Sequence, residues 1–285
     1  MPTFATPEPI TVTLDLVIAD VRLRAGERDD TIVVITPRNP ADPEDVQLAE
    51  RTRAEFADGR LGIRAHRSWR TLSPFRSGGA LDIEIDLPAG SEVRGEASIA
   101  ELYAAGRLGT CRFSTSMGDL SLERVGPATL ATHGRVSIGR TEGSTEINAA
   151  GAVHIGTTGG PTTIKNLNGA TEVDTVEADL TCRSANGDIS VGTALADVEA
   201  TTSNGDVRID EVVRGGVSLE TAHGRIEIGI RPGTAAQLDV HSRLGRVRNA
   251  LDVTDGPDSS DEIATVRART SVGDIVVRRP ESTTR

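Results

Sequence analysis

Five histidines, two cysteines and one acid-rich run are the residues of this chain whose types suit catalysis or metal binding. The histidines are His66, His133, His154, His223 and His241. No two of them share a helical turn, no CxxC is present, and no Gly-x-Ser-x-Gly elbow marks a nucleophile. Asp252, Asp255, Asp258, Asp261 and Glu262 cluster around Gly256-Pro257. Their spacing fits neither an EF-hand nor the Gly/Asp nonapeptide of calcium-binding rolls, so a solvated loop is expected there. Gly159-Gly160-Pro161 lacks the strand-to-helix context of a phosphate loop. The expectation is no catalytic residue, no metal and no cofactor: the chain is not read as an enzyme.

One stretch suits binding. Residues 59–81 hold Arg60, Arg64, Arg67, Arg70 and Arg76 with His66 and no acid, in a chain of net charge −11. They also hold the sole tryptophan, Trp69, and Phe75. Tryptophan and arginine are the side chains that anchor protein interfaces, and a local excess of positive charge steers acidic partners. Arg67, Trp69, Arg70, Phe75 and Arg76 are therefore the candidate partner contacts, with the segment 66–79 as the loop that carries them. The alternative is that Trp69 seals the end of a hydrophobic core. The overall acidity points away from nucleic acid and anionic membranes. Six aromatic residues in 285, by the sum of one Trp, one Tyr and four Phe, argue against a sugar cleft.

The elements that must hold these residues follow from an internal repeat. Turn positions recur at Ala100, Gly118, Gly134, Gly151, Gly169, Gly187, Gly205, Gly224, Gly245 and Gly273. Subtraction gives spacings of 18, 16, 17, 18, 18, 18, 19, 21 and 28. After each corner two apolar residues bracket a polar one, as in Leu120/Leu122, Val136/Ile138, Ile189/Val191, Val207/Ile209 and Ile275/Val277. That is the period of a strand with one buried face. A fixed period near 18 residues built from such strands predicts a right-handed parallel β-solenoid of all-β class. Val198, Ala200, Val207, Ile209, Leu219 and Ile226 are expected inside; Glu199, Arg208 and Glu227 are expected outside. If coils stack in chain order, Asp206 lies beside Arg225, Glu227 lies between Arg208 and Arg248, and His154 and His241 face outward without partners. Cys111 and Cys182 then lie four coils apart, about 19 Å, too far for a disulfide, and both are expected as small core residues.

The repeat pattern is also present at Val12, Leu14, Leu16, Val21 and Leu23, with Ala19 in the corner place. Residues 1–23 are thus expected to form a first rung, 24–92 a capping insertion of strands and one helix, 93–279 the regular solenoid and 280–285 a tail. The helix is signalled by Asp42 as N-cap and Pro43 in the first turn, and is expected to run to about Phe56. Because the insertion covers one end and Arg278-Arg279-Pro280-Glu281 places charge and proline on the other, a monomer or small oligomer is expected in place of a filament.

The corners Met117-Gly118-Asp119, Asn186-Gly187-Asp188, Asn204-Gly205-Asp206 and Val272-Gly273-Asp274 are similar to those of a bacterial β-strand-repeat family of unknown function labelled "putative adhesin". So are the opening Thr6-Pro7-Glu8-Pro9-Ile10, the Trp69-Arg70 loop and the run Arg267-Ala268-Arg269-Thr270-Ser271. The polymer-forming bactofilins are a more distant likeness. The resemblance implies the solenoid fold over nearly the whole chain and carries over no site residue. The label implies surface exposure, whereas the start of the chain has no basic and apolar leader, and no run reaches the ~18 apolar residues of a membrane span. A cytoplasmic, non-enzymatic scaffold or interaction protein is the leading expectation. A binding module for an acidic protein partner and an exported surface adhesin are the alternatives.

Overall fold

The computed structural model describes residues 2–65, 79–251 and 262–280. They are nearly all β-strand, in parallel coils that form a β-solenoid, and the chain divides into two compact units, Met1–Gly143 and Ser144–Arg285.

The first unit holds β1 (Thr3–Ala5), β2 (Thr11–Gly26), β3 (Asp30–Pro37), α1 (Pro43–Arg51), β4 (Arg53–Ala57), β5 (Arg60–Arg64), β6 (Leu81–Pro88), β7 (Glu92–Leu108), β8 (Cys111–Met117), β9 (Leu120–Val125), β10 (Ala128–Thr132) and β11 (Val136–Thr141). Its parallel strands make two faces. On one, β5 pairs with the first half of β2, followed by β7, β8 and β10. On the other, β6 pairs with the second half of β2, followed by β7, β9 and β11. The coil that comes second in the chain, β5 with β6, is thus the outer layer, and β2 lies beneath it. Antiparallel strands cover the free edge of that outer coil: β4 lies on β5, β3 on β6, and β1 on β3. The free edge is thereby moved from the long parallel coil to short antiparallel strands. The narrow coil admits one large aromatic, Phe113, because its neighbour across the strands is Gly95, where a Cβ would stand 2.5 Å from the ring.

The helix ends at Arg51, short of Phe56. Thr52 is extended, and residues 53–57 alternate exposed and half-buried as a strand paired with β5. Ala54 and Phe56 suit either period; Phe56 meets Phe4, with ring centroids 5.2 Å apart, and that contact belongs to the strand.

The second unit holds β12 (Thr145–Ala149), β13 (Val153–Thr158), β14 (Thr162–Asn166), β15 (Thr171–Val176), β16 (Leu180–Asn186), β17 (Ile189–Ala194), β18 (Val198–Asn204), β19 (Val207–Val212), β20 (Gly215–His223), β21 (Ile226–Ile230), β22 (Thr234–Leu244), β23 (Val247–Asn249), β24 (Glu262–Val272) and β25 (Ile275–Arg278). One parallel face runs β12-β14-β16-β18-β20 and the other β13-β15-β17-β19-β21. A short third side carries the buried column Val176, Ala194, Val212 and Ile230. The stacking then departs from chain order. β24 pairs with β20 on one edge and β22 on the other, and β25 lies likewise between β21 and β23. The last coil in the chain is an inner layer; the coil before it is the outer one.

Side chains lock the corners from Gly187 onward to their neighbours. Thr202, Thr221 and Thr270, three residues before a corner glycine, donate their hydroxyls to the carbonyls of Gly187, Gly205 and Gly224 in the adjoining coil, at 2.9–3.1 Å. The aspartate after the corner works in the opposite direction: Asp188 Oδ1 accepts from Asp206 N–H at 2.8 Å, Asp206 Oδ1 from Arg225 N–H at 2.7 Å, and Asp274 Oδ1 from Arg246 N–H at 2.8 Å. Asn168, Asn186 and Asn204 form a side-chain ladder at 3.2 and 2.9 Å. Each such bond contributes about 1 kcal/mol, so the Thr-x-x-Gly-Asp rhythm is a joint as well as a turn. Inside, Val198, Ala200, Val207, Ile209, Leu219 and Ile226 are all buried, as the alternation predicts. Glu199 and Arg208 are exposed, whereas Glu227 is half-buried beneath the guanidinium of Arg225, at 3.2 Å.

Candidate functional site

Arg67, Trp69, Arg70, Phe75 and Arg76 lie outside the described residues, as does His66. The structure does define the base from which their segment departs and to which it returns. On the leading side, β5 ends at Arg64, and Ala65 is buried with its N–H donating to Asp15 O at 2.9 Å. On the returning side, Ala80 N–H donates to Asp45 Oδ1 at 2.7 Å, and its carbonyl accepts from Arg38 N–H.

Asp45 is the hub of this base. Asp42 caps α1 by accepting from Glu44 N–H at 2.9 Å, and Pro43 opens the first turn. That fixes the first helical turn, where Asp45 is buried with its second oxygen accepting from Asn39 N–H, also at 2.9 Å. Gly79 packs so closely on this turn that a Cβ would stand 2.5 Å from Glu44 O. The sequence signals α1 as a capped helix, but nothing in it marks Asp45 as the clasp joining residues 39 and 80. Asp45→Ala would leave both part-buried N–H groups without their carboxylate, and about 1 kcal/mol should be lost for each. Thermal melting reads this; an unchanged melting temperature would mean the clasp bears no load.

The exposed arginines of the base extend the basic character of the segment. Arg53 and Arg64 face each other across β4 and β5, and Arg60 is exposed at the start of β5. Asp15 is the acid beside Arg64 in the parallel register.

In the second unit the corners frame a shallow depression of about 340 Å³, lined by Glu172, Asp188, Asp206, Arg208, Arg225 and Glu227 among others. Asp188 and Asp206 take backbone N–H groups of the next coil, and Arg225 pairs with Glu227 at 3.2 Å. Arg208 contacts Asp210, which, with Glu227 adding, holds the guanidinium above its usual pKa. Asp206 does lie beside Arg225, yet its Oδ1 takes the backbone N–H of that residue. Arg248 is not a neighbour of Glu227, because β25 intervenes and presents Val276 to both. Elsewhere on this unit Arg231 grips Glu211 through two bonds of 2.9 and 2.7 Å, which hold the Glu211 carboxyl below its ordinary range.

The remaining chemistry-bearing residues are structural or solvated. Cys111 and Cys182 are free and buried, and burial pushes each thiol up to about 12, which leaves it unreactive. His133 Nδ1 lies 2.8 Å from Ser116 O. His154 has a partner after all: its Nε2 stands 3.2 Å from Asp174, diagonally placed one coil on, a position that a directly-opposite register does not reveal. Among the described residues no group of three or more His, Cys, Asp or Glu is arranged to hold a metal, and no helix is long and apolar enough to cross a membrane. Asp252, Asp255, Asp258 and Asp261 lie outside the described residues.

The model of one protein family, described as Toastrack DUF4097, matches residues 10–284. No curated protein matches the chain. Among solved structures, a "putative adhesin" from Parabacteroides merdae is 13% identical over 79% of this chain and 93% of its own, with a TM-score of 0.40. A second "putative adhesin", from Bacteroides fragilis, is 10% identical over 97% and 95%, with a TM-score of 0.37. A "putative lipid binding protein" from Parabacteroides distasonis is 10% identical over 96% and 95%, with a TM-score of 0.33.

Proposed function

We propose that this chain, which belongs to the Toastrack DUF4097 family, acts as a rigid, non-enzymatic β-solenoid scaffold that presents the segment 66–79 to an acidic protein partner. The observation that carries the scaffold reading is the corner joint, in which the coils with corners at Gly187, Gly205 and Gly224 are bonded to one another through Thr hydroxyls and Asp carboxylates besides the strand ladders. A body so cross-tied transmits position with little local opening. The non-enzymatic part is supported by the structural bonds that Asp188, Asp206, Arg208 and Arg225 already make around the depression and by the burial of both thiols.

The partner reading is favoured by the two anchored flanks of a segment rich in arginine and holding Trp69: Ala65 is bonded to Asp15 O, and Ala80 is clasped by Asp45. Binding residues belong on loops that a rigid body positions. Arg53, Arg60 and Arg64 widen the positive field at the base. Trp69 and Arg70 would be the anchors, with Arg67, Phe75 and Arg76 around them. A cytoplasmic setting is part of the proposal, with an exported adhesin as the competitor; cell fractionation distinguishes the two.

The test is affinity capture from native lysate at low and moderate salt. The wild type should recover an acidic protein whose yield falls as salt rises. The triple replacement Arg67→Ser, Arg70→Ser, Arg76→Ser should keep its melting temperature and lose the partner. If Trp69→Ala instead lowers thermal stability while the three arginines prove dispensable for capture, the tryptophan seals the core and the partner reading fails.

A further inference from the structure

We propose that the open edge of the second unit is a self-association site, on which a second copy of this chain docks antiparallel to β22 about a two-fold axis through His241. Among the described residues, β22 pairs only with β24, and β23 only with β25. β22 is eleven residues long and contains neither proline nor glycine. Among the described residues no further strand or bulge blunts it, and its only charges are Asp239 and Arg243, whereas the outer coil of the first unit is covered by β3 and β4.

The inward column of this outer coil is incompletely covered. Leu238 and Val240 are half-buried and Val247 is 43% exposed, while their partners one layer in, Val266, Ala268 and Ile275, are fully buried. Leu244, just before the corner, is 66% exposed. An apolar column therefore ends at an unpaired ladder, which suits another strand with an apolar inward face.

The outward column identifies the occupant. It reads Asp239, His241, Arg243, with opposite charges placed symmetrically about the histidine. Residues directly opposite in an antiparallel pair share a face, so the axis must pass through a residue and not between two. An axis at His241 sets Asp239 against Arg243 of the other copy, twice, and Leu238 against Leu244, twice. Val240 then meets Ser242. An axis at Asp239 or Arg243 would oppose like charges at its centre; one at Val240 or Ser242 leaves Asp239 and Arg243 unmatched. Arg243 has no ion pair among the described residues, and Asp239 meets Arg267 and Arg269 of β24 at 3.4 and 3.5 Å on its inner side, which leaves its outer side to the edge. The contact is isologous and closes on itself, giving a dimer in place of a fibre.

The experiment uses the full chain. Sedimentation equilibrium at micromolar concentration should find a dimer for the wild type. Asp239→Arg and Arg243→Asp each place like charges opposite twice, and each should weaken self-association on the order of tenfold. Mixed in equal amounts, the two variants present only opposite charges and should recover a heterodimer of wild-type affinity, as should the double variant with itself. A cysteine scan gives a readout that survives any folding defect of the charge variants. Position 241 would face itself at about 4.5–5.5 Å between Cα atoms, within disulfide reach. His241→Cys should oxidise to a covalent dimer and Gln237→Cys should not; Cys111 and Cys182 are buried and take no part. A wild type that stays monomeric, single-charge variants that dimerise as well as the wild type, or a mixture that does not recover would each overturn the proposal, as would equal cross-linking at 237 and 241.

Discussion

Ile209→Asp should cost on the order of 4–5 kcal/mol and lower the melting temperature further than any outward substitution on the same strand. Ile209 is buried at the centre of the second unit, between Val191 and Ile228 in the adjoining coils. The substitution removes about 2–3 kcal/mol of apolar burial. It also places a carboxylate where no cation or donor reaches it, so the group must be desolvated or protonated. Arg208, one residue earlier, points outward, and Arg208→Ala removes an exposed pairing with Asp210 worth at most about 1 kcal/mol. Thermal melts followed by circular dichroism read both variants. Comparable losses at 208 and 209 would contradict the alternation on which the whole register rests.

Gly205→Ala should destabilise the second unit by on the order of 2–3 kcal/mol. The backbone at Gly205 has φ +148, and a Cβ there would stand 2.3 Å from the carbonyl oxygen of Gly187 in the coil below. The carbonyl cannot retreat freely, because it accepts the Thr202 hydroxyl. Gly233 supplies the comparison. It too has a positive φ, +82, but a Cβ there meets nothing within 4 Å. Gly233→Ala therefore carries backbone strain alone, about 1 kcal/mol. If the two variants melt together, the close approach of successive corners contributes nothing beyond strain.

The interior of the fold was legible in the sequence because a strand's period is local. Val207, Arg208 and Ile209 declare their faces without reference to any distant residue, and Asn204-Gly205-Asp206 declares the bend. The order in which coils stack is not local. The lengthened interval between Gly245 and Gly273 reads equally well as an excursion to the next layer or as one that passes a layer and returns. Stacking in chain order put Arg248 beside Glu227, where the structure puts Val276. The same assumption made Arg278-Arg279-Pro280 the guard of an open end, whereas β25, with Arg278 at its close, is flanked on both sides by β21 and β23. Diagonal pairs such as His154 with Asp174 escape a directly-opposite register for a related reason: long side chains reach past their immediate neighbour. Of the candidate contacts, composition alone points to Arg67, Trp69, Arg70, Phe75 and Arg76; the Asp45 clasp beneath them depends on a tertiary contact that no motif encodes.

The inner position of β24 and β25 bears on how the protein is made. A repeat protein whose coils stack in chain order can fold as it leaves the ribosome, each new coil landing on the last. In the second unit that sequence is broken. When residues 234–249 emerge, the layer they will rest on has not been synthesised. Their only folded neighbour at that moment would be β20 and β21, the surface that β24 and β25 occupy in the finished molecule. The growing chain must either keep that surface vacant or give it up again, so the final twenty or so residues complete the unit from within. A premature stop before residue 262 would therefore not trim the end of the solenoid. It would delete a middle layer, and leave the coil of β22 and β23 without the neighbour it was built against.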